Sequence, residues 1–468
     1  MTDEERPAQR TLREQPCTEF PLPAEVPQRG LGSILLLTAA TAVVPGLAHL
    51  RADRTATGTT LLSAGYGVAT VVLAFAFTFR DRLPALAVQP SWLIVLCSLA
   101  SAGAAAWAIL VLRSYTVLHP AGLPAGKRVA GALLASVLAL TAAAPFAATA
   151  RYAYLQYDLV TDVFQDGAGD PHAWPAAPPA AAAVNPLARL HRLNVLLLGG
   201  DDGPGRFGLR TDTLVLASVN TATGRTALLS LPRNLEGVPF PPGTPMRARF
   251  PHGFDNLINA LWGYGAAHPE LVPGSRRPGP DLVKAAVGQV LGIPVHHYVL
   301  VNMSAFATLV DAVGGVRVNV AEPVRWGETG VVLQPGVHRL TGAQALVYAR
   351  SRTGTSDYTR MSRQRCLLGR LARQANPITI LTRYHRLARA AKQLVSTDIP
   401  RQLLPALVDL APLVRTAPIS SVTFIPPAVK PWQADWARIR ELTRAVIEES
   451  DRTAIPKSAA VSFDDACS

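Results

Sequence analysis

NVLLLGGDDGPGRFGLRTDTLVLASVNTATGRTALLSLPR, residues 194–233, sets the architecture of the folded part of this chain. Its first five residues form a short continuous apolar run, the pattern of a buried strand. Residues 213–219 and 226–231 are two further runs, and the turn-forming 220–224 between them makes a β-hairpin. Downstream, 281–291 reads as an amphipathic helix stopped by Gly292, 298–301 as a strand, and 304–313 as a helix ended by Gly314 and Gly315. Residues 316–320 form another strand, 360–374 a long helix, and 422–425 a strand before a helix over 435–449. Strands and helices alternate, so the expected class is α/β, with a sheet covered by helices on both sides.

The loop joining the first strand to the hairpin, GGDDGPGRFGLRTDT (199–213), contains a literal GxGxxG from Gly203 to Gly208. A dinucleotide site is excluded, because that motif must open a helix and here a strand follows; Pro204 also lacks the amide that would bind phosphate. No GK[ST] ending completes a P-loop. The loop does place carboxylates beside arginine: Asp201, Asp202, Arg210 and Asp212. Asp201 and Asp212 stand at its two ends, where both can face one point, and such oxygen ligands suit Mg²⁺. The competing reading is that these acids cap turns. Arg233 adds a cation at the end of the hairpin.

A second stretch, YARSRTGTSDYTRMSRQ (348–364), gathers arginines at two periods. With 342–349 leading into a strand, Arg350 and Arg352 point to one side. On the helix that follows, Arg360, Arg363 and Gln364 share a face, and Asp357 stands just before it as an N-cap. Paired guanidinium forks suit a multiply charged anion such as phosphate or pyrophosphate. The chain carries 45 Lys+Arg against 32 Asp+Glu, so solvated arginines are expected throughout. It is the arrangement, not any single arginine, that points to a site.

Four apolar windows, 31–50, 59–79, 92–112 and 129–150, contain no charged side chain and match the thickness of a bilayer core. Pro45 interrupts the first, leaving open whether it spans. The loops holding Arg51 and Arg54, and Arg113, Lys127 and Arg128, are more basic than the one holding Arg80 and Arg82, which places the former in the cytoplasm. With three or four spans alike, the C-terminal domain is extracytoplasmic. The first apolar stretch begins late and lacks a cleavage site, so no cleavable signal peptide is expected. The expected organisation is a tail over 1–30, an all-α transmembrane region over 31–150, a stalk and Pro/Ala linker over 151–187, and a globular domain over 188–468. Cys366 and Cys467 both fall in the exported domain, where oxidation permits a disulfide between them. Nucleic acid is excluded as a partner, because no aromatics interleave a basic surface. His296 and His297 are adjacent in a strand and face opposite ways, against a shared metal.

The blocks NVLLLGGDD, RTDTLVLASVNTATGRTALLSLPR, LINALWGYG, GIPVHHYVLVNMSAFATLVDAVGGVRVNV, LQPGVHRLTGAQALVYARSR and DYTRMSRQR occur in one order. This series closely resembles the LytR-CpsA-Psr family of cell-wall glycopolymer ligases, densely over 194–373 and more loosely to the end. The resemblance implies an α/β/α sandwich with a hydrophobic pocket for a polyprenyl tail. It implies an extracytoplasmic phosphotransferase that moves a polyprenyl-pyrophosphate-linked glycopolymer, as a phosphodiester, onto a peptidoglycan hydroxyl. Asp201 and Asp212 match the carboxylates that hold Mg²⁺ (or Mn²⁺). Arg210, Arg233, Arg350, Arg352, Arg360 and Arg363 match the pyrophosphate-binding arginines, with Gln364 beside them and Asp357 as the acid before the second pair. Asp212, Arg233 and Arg350 are the residues expected to carry catalysis. The sequence departs from the family at Gly203, where an arginine is usual, with Arg206 as a substitute, and at Asn234, where an aspartate is usual. The long anchor and the high Ala, Arg and Pro content suggest an actinobacterium. Two other classes keep the arginines: a non-catalytic tethered binder of polyprenyl phosphates or wall polymer, and a lipid-pyrophosphate hydrolase. Whether Asp212 acts as a base or only as a metal ligand stays open at the level of sequence.

Overall fold

The computed structural model describes residues 30–118, 124–164, 186–201, 209–327, 330–374, 388, 391–392 and 395–452. Nearly all of the expected linker, together with Asp202, Gly203, Arg206 and Cys467, lies outside the described residues. The chain divides into two compact units, Met1–Val71 with Gly103–Pro145, and Val72–Ala102 with Phe146–Ser468.

In the first unit, the window expected as a single span over 31–50 is two short helices, α1 (Leu31–Val43) and α2 (Leu47–Arg51). Pro45 supplies no amide hydrogen, and Gly46 takes the left-handed conformation at φ 89°. A helix of 13 residues rises only ~20 Å, short of the ~30 Å of a bilayer core. Ile34, Ala48, Tyr115, Leu118 and Ala135 pack together, and the Trp107 indole donates to the Ala42 carbonyl at 3.0 Å. The chain continues through α3 (Thr55–Thr78), a short α4 (Leu83–Leu86) that belongs to the second unit, α5 (Pro90–Leu118) and α6 (Ala125–Val163). Among the described residues, three helices rather than four are long and apolar enough to cross a membrane: α3, α5 and α6.

The second unit is built on a mixed sheet. Strands β1 (Arg192–Asp201), β2 (Arg210–Asn220) and β3 (Thr226–Leu231) form an antiparallel meander, because each joining loop reverses the chain directly. Strand β4 (His297–Asn302) returns parallel to β1 after a helical crossover. Two small pairs follow, in which β5 (Val316–Val320) pairs with β8 (Gly336–Leu340) and β6 (Val324–Arg325) with β7 (Val331–Leu333). With β9 (Val395–Thr397) and β10 (Ile419–Thr423), the main sheet has the order β10-β3-β2-β1-β4-β9. The helices are α7 (Pro245–Arg249), α8 (Leu261–Ala267), α9 (Pro278–Leu291), α10 (Met303–Ala312), α11 (Gly342–Arg350), α12 (Asp357–Gln374), α13 (Leu404–Thr416) and α14 (Trp436–Asp451).

Alternation along the strands divides the core. Leu196, Leu198, Leu214, Leu216 and Leu229 pack on one face against α8, α9 and α14. Leu197, Val215 and Leu228 meet Leu368 of α12 on the other face, while Leu193, Val195 and Val219 meet Leu404 and Leu410 of α13. The domain is therefore an α/β/α sandwich, as expected. On the α13 side, α4 lies against α13, and Val88 and Val160 join the same apolar cluster.

Helix α11 corrects the expectation of an arginine strand. Thr341 and Gln344 form a reciprocal capping box, at 3.3 and 3.0 Å, that starts a helix through to Arg350. Gly342, at its first position, donates its amide to Asp311 at 2.7 Å, and a Cβ there would stand 2.0 Å from the Ala307 carbonyl oxygen of α10. Because the obstacle is backbone, Gly342→Ala is expected to destabilise the domain by about 1–3 kcal/mol and to displace Arg350. An unchanged denaturation midpoint would contradict this packing.

Candidate active site

The site forms where β1 and β3 end and β2 begins. The pairing of β1 with β2 slips between Gly199 and Gly200, so that Gly199 faces Thr213 while Gly200 faces Thr211. Asp212 is the extra residue of this bulge, a device that re-aims a side chain. A side chain is crowded out at Gly199, where a Cβ would lie 2.9 Å from the Thr213 Cβ.

Asp212 Oδ1 accepts from Arg233 Nη1 at 2.9 Å and from Asn259 Nδ2 at 3.3 Å. Arg233 reaches onward, its Nε 3.4 Å from Asp357 Oδ1. Arg360 donates to Asp357 Oδ2 at 2.9 Å, and Arg352 Nε lies 3.6 Å from Asp357 Oδ1. Three guanidinium groups thus crowd a single carboxylate. Arg360 is only 2% exposed, and its Nε, like Nη1 of the buried Arg363, has no hydrogen-bond acceptor among the described residues. Buried donors left unpaired are costly.

Electrostatics follow from this crowding. Burial alone would raise the Asp212 pKa, but the hydrogen bond and charge of Arg233, the Asn259 amide and the Arg360 charge hold it below the ordinary carboxylate value. Burial depresses the Arg360 pKa, and Arg233 and Arg352 push the same way against Asp357 and Asp212.

The structure distributes the other expected residues unevenly. Arg350 closes α11 and lies 5.8 Å from the Trp326 ring centroid, while Arg352 is exposed in the loop beyond; they are not successive positions of a strand. Asp357 is the first residue inside α12 rather than its cap. Ser356 caps the helix instead, accepting the Thr359 amide at 3.2 Å, which leaves the Asp357 carboxylate for the arginines. Arg363 sits 5.6 Å from the Tyr348 ring centroid. Gln364 donates to the Ala349 carbonyl at 3.2 Å and lines a narrow crevice with Asp212, Ser230 and Met361. Arg210 is exposed at the start of β2, paired in register with Asp201, whose side chain lies outside the described residues. Cys366 is disulfide-bonded and Cys97 is free. His296 and His297 stand at the opposite end of the sheet, where His297 aligns with Val195 near the start of β1. Burial and the neighbouring His297 push the His296 pKa down to about 4.

Sequence reasoning assigned no role to Asn259, Trp326, Tyr348 or Ser356. Asn259 lies inside a quoted block, LINALWGYG, but a lone amide carries no periodic signal.

An α/β/α domain with clustered arginines beside a bulged aspartate is the class of protein that the geometry defines. The LytR_cpsA_psr family profile matches residues 173–434, and the chain belongs to that family. It is 32% identical over 222 residues to the polyisoprenyl-teichoic acid–peptidoglycan teichoic acid transferase TagU of Oceanobacillus iheyensis, covering 46% of this chain and 62% of that protein. It is 33% identical over 186 residues to the probable cell wall biosynthesis protein LcpB of Corynebacterium glutamicum, covering 39% and 38% respectively. The chain spans about three fifths, 62% and 61%, of the length of the TagU proteins of O. iheyensis and Enterococcus faecalis. Among solved structures, Bacillus subtilis TagT is 23% identical with a TM-score of 0.42, over 62% of this chain and all of the other.

Proposed function

We propose that this chain is a membrane-anchored phosphotransferase that moves a glycopolymer from a polyprenyl-pyrophosphate carrier to a hydroxyl of peptidoglycan. The observation that carries the reading is the cluster of Arg233, Arg352 and Arg360 around Asp357, beside Asp212. In such a transfer the acceptor oxygen bonds to the phosphorus bearing the glycopolymer. The bond from that phosphorus to the bridging oxygen breaks, polyprenyl phosphate leaves, and the hydroxyl proton passes to solvent or a carboxylate. Charge neutralisation at the bridging and leaving oxygens is the main demand of this chemistry, and the arginines supply it. The depressed pKa of Asp212 favours an ionised ligand or orienting group over a general base, which works best near the operating pH.

Asp212 and Asp201 are the residues that would hold Mg²⁺ or Mn²⁺. Oδ2 of Asp212 accepts no hydrogen bond among the described residues, so a ligand position is available. Mg²⁺ keeps several waters and typically takes one or two carboxylates together with substrate phosphates, which fits this donor set. When bound, the metal would add positive charge at the pyrophosphate.

The placing of the domain outside the membrane draws support from two observations. The disulfide at Cys366 fits an oxidising compartment. The contact of α4, in the loop between α3 and α5, with α13 puts both on one side, and the weakly basic α3–α5 loop is the one that the charge rule assigns to the exterior. Full-length protein in detergent, given a lipid-pyrophosphate saccharide, Mg²⁺ and nascent glycan, is expected to yield a saccharide–glycan conjugate. Free lipid phosphate without conjugate would indicate a hydrolase, and binding without turnover a tethered binder; either outcome rejects the transferase.

A further inference from the structure

Two donors converge on the same oxygen of Asp212, Nη1 of Arg233 at 2.9 Å and Nδ2 of Asn259 at 3.3 Å. Asn259 is 4% exposed, and its backbone amide donates to the Arg233 carbonyl at 3.3 Å. Next to it, the Ile258 amide donates to the Leu235 carbonyl at 2.9 Å. The three residues therefore form a closed ring. The asparagine that grips the carboxylate also fixes the backbone of the arginine paired with it.

We infer that Asn259 is a positioning residue for the transfer reaction, holding Asp212 by Oδ1 so that Oδ2 is presented to the reacting pyrophosphate and its metal. The inference rests on the transferase reading. The terminal torsion of an aspartate is broad and roughly two-fold, so one flexible arginine would let the carboxylate rock between its oxygens. A second donor from a buried short side chain on another segment removes that freedom. Arg233 is shared with Asp357 and stays partly exposed; Asn259 has the shorter reach and is buried. Partners that orient a metal-binding group typically matter by roughly 10–100-fold in affinity or activity.

The test compares full-length wild type with Asn259→Ala and Asn259→Asp, the second of which keeps the shape but removes the donor. Three quantities are read: kcat and donor KM in transfer, Mn²⁺ affinity by electron paramagnetic resonance, and thermal midpoint. Both variants are expected to lose roughly 10–100-fold in kcat with donor KM unchanged, to bind Mn²⁺ more weakly, and the aspartate variant to be at least as impaired as the alanine one. A role in packing alone predicts a lowered thermal midpoint with kcat and Mn²⁺ affinity unchanged in Asn259→Ala, and that result overturns the inference. So does a rise in donor KM at constant kcat, which would make Asn259 a substrate contact. If either variant fails to fold, Asn259→Ser, a smaller change, is held to the same expectation. Should wild type show no transfer, the transferase reading fails on its own, and Mn²⁺ affinity still decides: equal affinity in wild type and both variants overturns the positioning role.

Discussion

The Asp212→Asn variant is expected to lose transfer activity by about 10²–10³-fold or more while keeping its fold. The amide has the same outline but removes the negative charge that faces Arg233 and turns a ligand oxygen position into an ambiguous one. Arg233 retains Asp357 as a partner, so the arginine is not stranded and the β2–β3 end stays assembled. The pH dependence has a definite sign. Because the folded pKa of Asp212 is depressed, its stabilising contribution is present above the unfolded carboxylate value, about 3.9, and is lost as pH falls through the folded value. The asparagine variant should therefore lose less stability than wild type on acidification below about pH 4. Near-wild-type turnover by a purified, folded Asp212→Asn protein would remove Asp212 from the site.

Much of this site was legible because its parts lie at element ends that sequence marks well. Glycine and asparagine between apolar runs located the β2–β3 hairpin, and thus Asp212 and Arg233, within a few residues. The left-handed Gly292, at φ 72°, stopped α9 where the sequence placed it. The error at Arg350 has a physical cause: YARSR alternates as a strand would, whereas the segment's conformation is set upstream by the capping box of Thr341 and Gln344. Burial of Ala345, Tyr348 and Ala349 on one side of α11 then confirms the helical period. Arg350 and Arg352 therefore lie near each other through a helix end and a loop. Asp357 was placed one position too early because Ser356, an equally good cap, precedes it. What no local pattern can show is contact across the chain: Asn259 meets Asp212 from 47 positions away. A charge cluster outside the site joins residues separated still further.

Those charges centre on Lys284 of α9, which is 7% exposed and lies between two aspartates. Its Nζ is 3.0 Å from Asp281 Oδ1 and also bonds Asp398, 114 residues away. Asp281 is further held by Ser275 Oγ at 2.6 Å; Asp398 accepts the Tyr298 amide at 2.8 Å and lies 3.5 Å from His297 Nδ1. The cluster ties the end of β9 to the start of β4 and to the helix above. Lys284→Met is expected to destabilise the domain by about 3–5 kcal/mol, because it leaves two carboxylates buried without their cation. Burial opposes the charge on Lys284, yet Asp398 and Asp281 raise its pKa overall. Its contribution is thus fully present below the unfolded lysine value, about 10.4, and lost as pH rises through the folded value. Burial likewise opposes ionisation of Asp398, but the neighbouring His297 and the Lys284 charge depress its pKa, so its contribution is lost as pH falls through the folded value. Wild type should hold this stability from about pH 4 to about pH 10. In Lys284→Met the buried Asp398 loses the charge that favours its ionisation, so the variant should lose less stability than wild type as pH falls. Adding Asp398→Asn should recover part of the loss, since an uncharged remnant is cheaper to bury than an unpaired charge. Denaturation midpoints across pH for the single and double variants measure both effects, and parallel pH slopes for wild type and Lys284→Met would mean that the three charges are not coupled.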